Sequence, residues 1–164
     1  MQTLDLPAQA ADYRRRLADG EIQATYGALM TYLQRLKTRF SKSLAAEFSV
    51  GNVFPGLLDV SYFYVASDAL KRRGLKLGLV LRHADTSFEI WLLGQTKDVQ
   101  RAYWEAFRAK GWASSAQMPA FAVVERTLVA APDFGDLDAL SRQLIAAFSE
   151  QAGELLAQAR ALRL

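Results

Sequence analysis

Cysteine is absent from this chain of 164 residues, and histidine occurs once, at His83. The first absence excludes disulfides and thiolate metal sites, and the second excludes a multi-histidine metal centre within one chain. Proline is sparse, so long helices and strands can run uninterrupted. No apolar run approaches the roughly 18 residues that a membrane-spanning helix needs. The segment from Met1 to Asp12 lacks the basic start and long apolar stretch of a secretory leader. No membrane partner is expected, and a cytoplasmic location follows by elimination. Glycine-rich phosphate loops, nucleophile elbows and metalloprotease patterns are missing too, so the sequence calls for no cofactor and no metal.

What is present has the balance of a globular domain: 51% hydrophobic and 23% charged residues. The length suits a single domain over residues 1–164, with 1–20 as a peripheral N-terminal helix. The net charge of +3 is small, although basic residues cluster at Arg14, Arg15 and Arg16, at Lys37, Arg39 and Lys42, and at Lys71, Arg72 and Arg73. Such clusters could neutralise phosphates. Without any RNA-recognition or basic-zipper pattern beside them, they read as solvated faces, and nucleic acid is not favoured as a partner.

Periodicity supplies the elements. Asp5 and Pro7 open a helix that stops before Gly20. A longer helix begins near Glu21, where Ile22, Tyr26, Leu29, Leu33, Leu36 and Phe40 form an apolar seam. Residues 51–56 read as a loop by composition. Alternation then predicts a strand over 58–65, with Val60, Tyr62 and Tyr64 on one face and Asp59, Ser61 and Phe63 on the other. A second strand carries Leu75, Leu77, Leu79 and Leu81 opposite Lys76, Gly78, Val80 and Arg82. A third places Phe88, Ile90 and Leu92 opposite Glu89, Trp91 and Leu93. A turn centred on Asp85 and Thr86 would pair Arg82 with Glu89 and Leu81 with Ile90. Thr96 caps a helix ended by Gly111, residues 121–129 form a fourth strand, and Asp136 starts the last helix. The fold class is α+β, with a four-stranded, mostly antiparallel but mixed sheet and long helices in the order ααβββαβα. Mixing is expected because a helix between the third and fourth strands suggests a parallel crossover.

Chemistry is sought on the less apolar sheet face, assigned Asp59, Ser61, Lys76, Arg82, Glu89 and Trp91, with Glu125 as a further member. Strand carboxylates can hold Mg²⁺, and a nearby lysine can orient water for phosphodiester hydrolysis. Asp59, Glu89, Lys76 and Arg82 are therefore the catalytic candidates. Their arrangement resembles the core of restriction-endonuclease-like nucleases, which read Glu-x-Lys on the third strand. Here Trp91 stands where that lysine belongs. A cross-strand charge pair between Arg82 and Glu89, worth roughly 0.2–1 kcal/mol, explains the same residues more simply. His83 could act as a general base, but its place at a hairpin end reads as a solvent-facing turn residue. Trp91, Gln100, Tyr103 and Trp104 are the ligand-binding candidates, lining a pocket between the third strand and the third long helix.

Several segments together carry a resemblance. Leu75 to Leu81, Phe88 to Gly94 and Val99 to Glu105, with Ile22 to Leu33 and Pro132 to Leu140, resemble a family of small bacterial cytosolic proteins, a domain of unknown function. The likeness covers most of the chain from Glu21 onward. It implies a bacterial cytosolic domain and brings no activity or cofactor. The reading leans away from an enzyme and towards a binding module for a small ligand or a protein. The alternative is a degenerate Mg²⁺-dependent nuclease. No partner is named, although apolar surplus on the long helices allows a homodimer.

Overall fold

Asp5 begins the first helix by accepting a hydrogen bond from the backbone N–H of Ala8, and Pro7 lies in the first turn, where no amide is needed. The computed structural model describes residues 4–164. This helix, α1 (Leu6–Leu17), buries none of its residues. Gly20 adopts a positive φ of 78° and turns the chain into α2 (Glu21–Ser43). The seam of α2 is spent inside the chain: Leu33, Leu36 and Phe40 are fully buried, and only its first position, Ile22, is exposed.

Five strands follow. These are β1 (Ser49–Phe54), β2 (Val60–Ala66), β3 (Leu75–Arg82), β4 (Phe88–Gly94) and β5 (Val124–Val129). A one-turn helix, α3 (Asp68–Lys71), joins β2 to β3, and α4 (Lys97–Ala109) follows β4. The last helix is α5 (Leu137–Ala161). Ser67, Thr96 and Asp136 cap these three helices through their side-chain oxygens, as their sequence positions predict.

The sheet order is β1-β2-β3-β4-β5, and every pairing is antiparallel. That corrects the expected four-stranded mixed sheet twice. The segment read as a loop supplies the edge strand β1, in which only Val50 and Val53 turn towards the core and a bulge lies between them. The helix between β4 and β5 produces no parallel crossover. Residues 110–123 run back along α4, and the side-chain amide of Gln100, in the first turns of α4, donates to the carbonyls of Pro119 and Ala122. The chain thus re-enters the sheet at the end where β4 left it.

The β3–β4 hairpin has a register two residues from expectation, pairing Leu81 with Phe88 and Val80 with Glu89. The turn is centred one residue earlier than expected, between Ala84 and Asp85: the Arg82 amide donates to the Ser87 carbonyl, Thr86 has φ 56°, and Asp85 accepts from both the amide and the hydroxyl of Ser87. A two-residue shift preserves which face each side chain takes. Both leucine-rich rows therefore still meet α2 and α5, where Phe40 packs edge-on against Phe63 and Phe148 at 5.3 and 5.2 Å.

Candidate functional site

The helices cover one face of the sheet and leave the other without a helical layer. On that second face Val80 and Trp91 are nonetheless buried, against Ala122 of the returning segment. Between them lies a trough of about 450 Å³ over β2, β3 and β4, within the range of small-molecule pockets, roughly 300–1,000 Å³.

Its floor is Gly78, in the central strand, flanked across the strands by Tyr64 and Trp91. Gly78 is not among the glycines that need a positive φ, so backbone geometry does not require it there. A Cβ at this position would meet Leu93 at 3.4 Å and Val80 at 3.6 Å, which is ordinary contact. A side chain larger than alanine would project into the trough. Glycine weakens a strand interior and often marks a bulge, a bend or the close approach of another group; the pairing at Gly78 is regular on both sides.

The rings of Tyr62 and Tyr64 form one wall, and Phe54 continues their row outside the trough. Phe54, Tyr62 and Tyr64 make a continuous row with centroids 5.1 to 5.7 Å apart. Burial and the neighbouring Tyr64 side chain push the Tyr62 phenol above its ordinary range. The ammonium of Lys76 lies 3.6 Å from the centre of the Tyr64 ring. At the same end Lys97 donates to the Gln100 side-chain oxygen at 3.1 Å and to the carbonyl of Ala120. Phe121 and Leu57 form the rim and are 69% and 91% exposed.

The turn that carries Leu57 is pinned from below. Gly56 has φ 67°, and a Cβ there would fall 1.9 Å from the carbonyl oxygen of Val60. The Pro55 carbonyl accepts from the hydroxyls of Tyr26 and Ser61 at 2.9 and 2.5 Å. Ser61 has given away its one proton, so the 2.7 Å contact with His83 must be a bond that His83 Nε2 donates. His83 is thus a half-buried structural residue stacked against Tyr26, and not the solvent-facing turn residue expected. Desolvation lowers its pKa despite the opposing field of Asp59, which favours the neutral imidazole. A serine whose proton is already committed, in a fully buried side chain, does not serve as a nucleophile.

The chain belongs to the family described as domain of unknown function (DUF7000), whose model matches residues 6–158. No curated protein and no solved structure matches it.

Within this DUF7000 chain the residues singled out from sequence are divided by the fold. Lys76, Trp91, Gln100 and Asp59 line the trough. Tyr103 is buried in the helix-side core, and Trp104 packs partly buried against that core. Ser61 also lies on the helix side, opposite Leu81, which corrects its assignment to the polar face. Arg82, Glu89 and Glu125 do share a face with Trp91, away from the lysines. Glu89 Oε1 is 3.3 Å from Arg82, and its Oε2 accepts from the Trp91 indole at 2.6 Å. The Arg82–Glu89 pair is diagonal, because Val80 is the direct partner of Glu89. The Asp59 carboxylate accepts from the amide of Leu57 at 3.0 Å, and this and other backbone amides hold its pKa down. Among the described residues no group of three or more His, Asp or Glu could hold a metal ion, and no helix is long and apolar enough to cross a membrane. Sequence reasoning missed Gly78, Tyr62, Tyr64 and Phe121. The available signal was the glycine inside an otherwise regular strand.

Proposed function

We propose that this chain is a non-enzymatic binding module that takes a small ligand in the trough above Gly78. The observation that carries the reading is a glycine in the middle of the central strand, walled by Tyr64 and Trp91. A sheet face meant only for packing would place a β-branched or aromatic residue there. The nuclease alternative has less support. Both oxygens of Glu89 are engaged by Arg82 and Trp91, and the Asp59 carboxylate closes its own turn.

A thermal-shift screen against a metabolite library tests this, using the native protein and Gly78→Val in parallel. Ligands of the trough should stabilise the native protein and lose that effect in the variant. Hits that stabilise both equally would place binding elsewhere and remove the reading. Turnover of a bound ligand would overturn its non-enzymatic half.

A further inference from the structure

We infer that the ligand is a flat, largely apolar molecule with one anionic group, and that Lys76 pairs with that group. This rests on the trough being a ligand site, and it follows from how the charges around it are distributed.

Lys76 is half-buried on the central strand, and its ammonium rests on the Tyr64 ring. The ion pairs among the described residues join Arg15 and Arg16 to Asp12, Arg39 to Asp138, Arg82 to Glu89 and Arg126 to Glu154. Lys76 takes part in none of them. Its ammonium is held over the Tyr64 ring with no carboxylate to neutralise it, so a bound anion would meet an unpaired, positioned cation. Lys97 adds a second positive charge at the same end. Two of its three N–H donors hold Gln100 and Ala120, and one remains. The trough's single lining carboxylate, Asp59, already accepts from its own turn. The other acids of this face, Glu89 on β4 and Glu125 on β5, are grouped with Arg82 of β3 and do not line the trough. An anion is therefore favoured at the lysine end and opposed at the other.

The remaining surface selects the body of the ligand. A pleated floor interrupted by Gly78, the rings of Tyr62 and Tyr64, and Phe121 at the rim offer apolar contact, with Val80 and Trp91 almost fully buried beneath. The volume of about 450 Å³ suits a small molecule. A nucleic-acid strand would need a row of cations where the trough has only Lys76 and Lys97.

Two fluorescent probes that differ by one charge test this: anilinonaphthalene sulfonate and its uncharged parent, phenylnaphthylamine. Each is titrated into the native protein, Lys76→Met, Lys76→Arg and Gly78→Val, with circular dichroism confirming that each variant is folded. Lys76→Met should weaken the sulfonate about tenfold and change the neutral probe less than about twofold, as expected for loss of a charge-assisted contact. Lys76→Arg should keep the preference for the sulfonate, and Gly78→Val should weaken both probes. Equal loss of both probes in Lys76→Met, or sulfonate binding that ignores the substitution, overturns the anion assignment. If neither probe binds the native protein, or Gly78→Val leaves both unchanged, the trough itself fails as a site, which is a different result.

Discussion

Glu125 on β5 is the cross-strand partner of Trp91, in a part-buried place that suits a carboxylate poorly. Burial raises its pKa, the neighbouring Glu89 raises it further, and Arg82 offsets this only in part. The sign of the consequence is fixed. A carboxyl whose folded pKa exceeds its unfolded value stabilises the fold below the unfolded value, about 4.3, and loses that contribution as pH rises through the folded value. At neutral pH the ionised Glu125 is a liability. Glu125→Gln imitates the protonated form, so urea melts near neutral pH should show the variant more stable than the native protein. The two should converge at about pH 4, where the native carboxyl is protonated as well. A variant less stable at neutral pH would mean that Arg82 outweighs Glu89. At this scale the site was half legible. Sequence singled out Trp91 and Gln100 as ligand-binding candidates and Lys76 as a catalytic one, and all three line the trough, whereas Tyr103 and Trp104 do not. Phe121 gives no such signal, since only the returning segment brings it to the rim. Ser61 misleads because an alternating pattern states which residues share a face but not which face the helices cover.

Close approach between elements fixes the position of α4. Gly94 ends β4, and a Cβ there would stand 2.6 Å from the amide nitrogen of Gln100 and 2.9 Å from its Cα. Those are backbone atoms of α4, which cannot move aside without moving the helix. Gly94→Ala should therefore cost about 1–3 kcal/mol through forced displacement, read as a lower urea midpoint with an unchanged slope. Gly78→Ala meets only ordinary contacts and serves as the control. A harmless Gly94→Ala would show that α4 docks loosely. The same helix explains what the sequence concealed about topology. Apart from β1, the existence of the strands and long helices was readable from periodicity, and the caps at Ser67, Thr96 and Asp136 from residue type. The direction of β5 was not, because it depends on Gln100 holding Pro119 and Ala122, some twenty residues away. β1 was hidden for a local reason: Gly51, Asn52 and Pro55 give the composition of a turn, and a bulged edge strand needs few inward residues.

For the molecule as a whole, the decisive asymmetry is that helices pack on one side of the sheet and a trough occupies the other. Neighbouring positions should then differ sharply in what they contribute to stability. Leu79 lies on the central strand, faces α2 and α5, and has no solvent exposure. Leu79→Ala should cost about 2–5 kcal/mol, the transfer term plus a cavity the packed helices cannot close. Leu93 is the same residue type one strand away, half-buried on the trough side. Truncating it removes contacts from a surface that water already reaches, so Leu93→Ala should cost less than about 1.5 kcal/mol. The pair is measured in one series of urea melts, with equal slopes confirming a common unfolded state. Similar costs for the two would mean that the trough side is packed as tightly as the helix side, leaving no room for a ligand. A large cost at Leu79 alone would establish that stability resides in the helix layer, and that the Gly78 face is free to be shaped by what it binds.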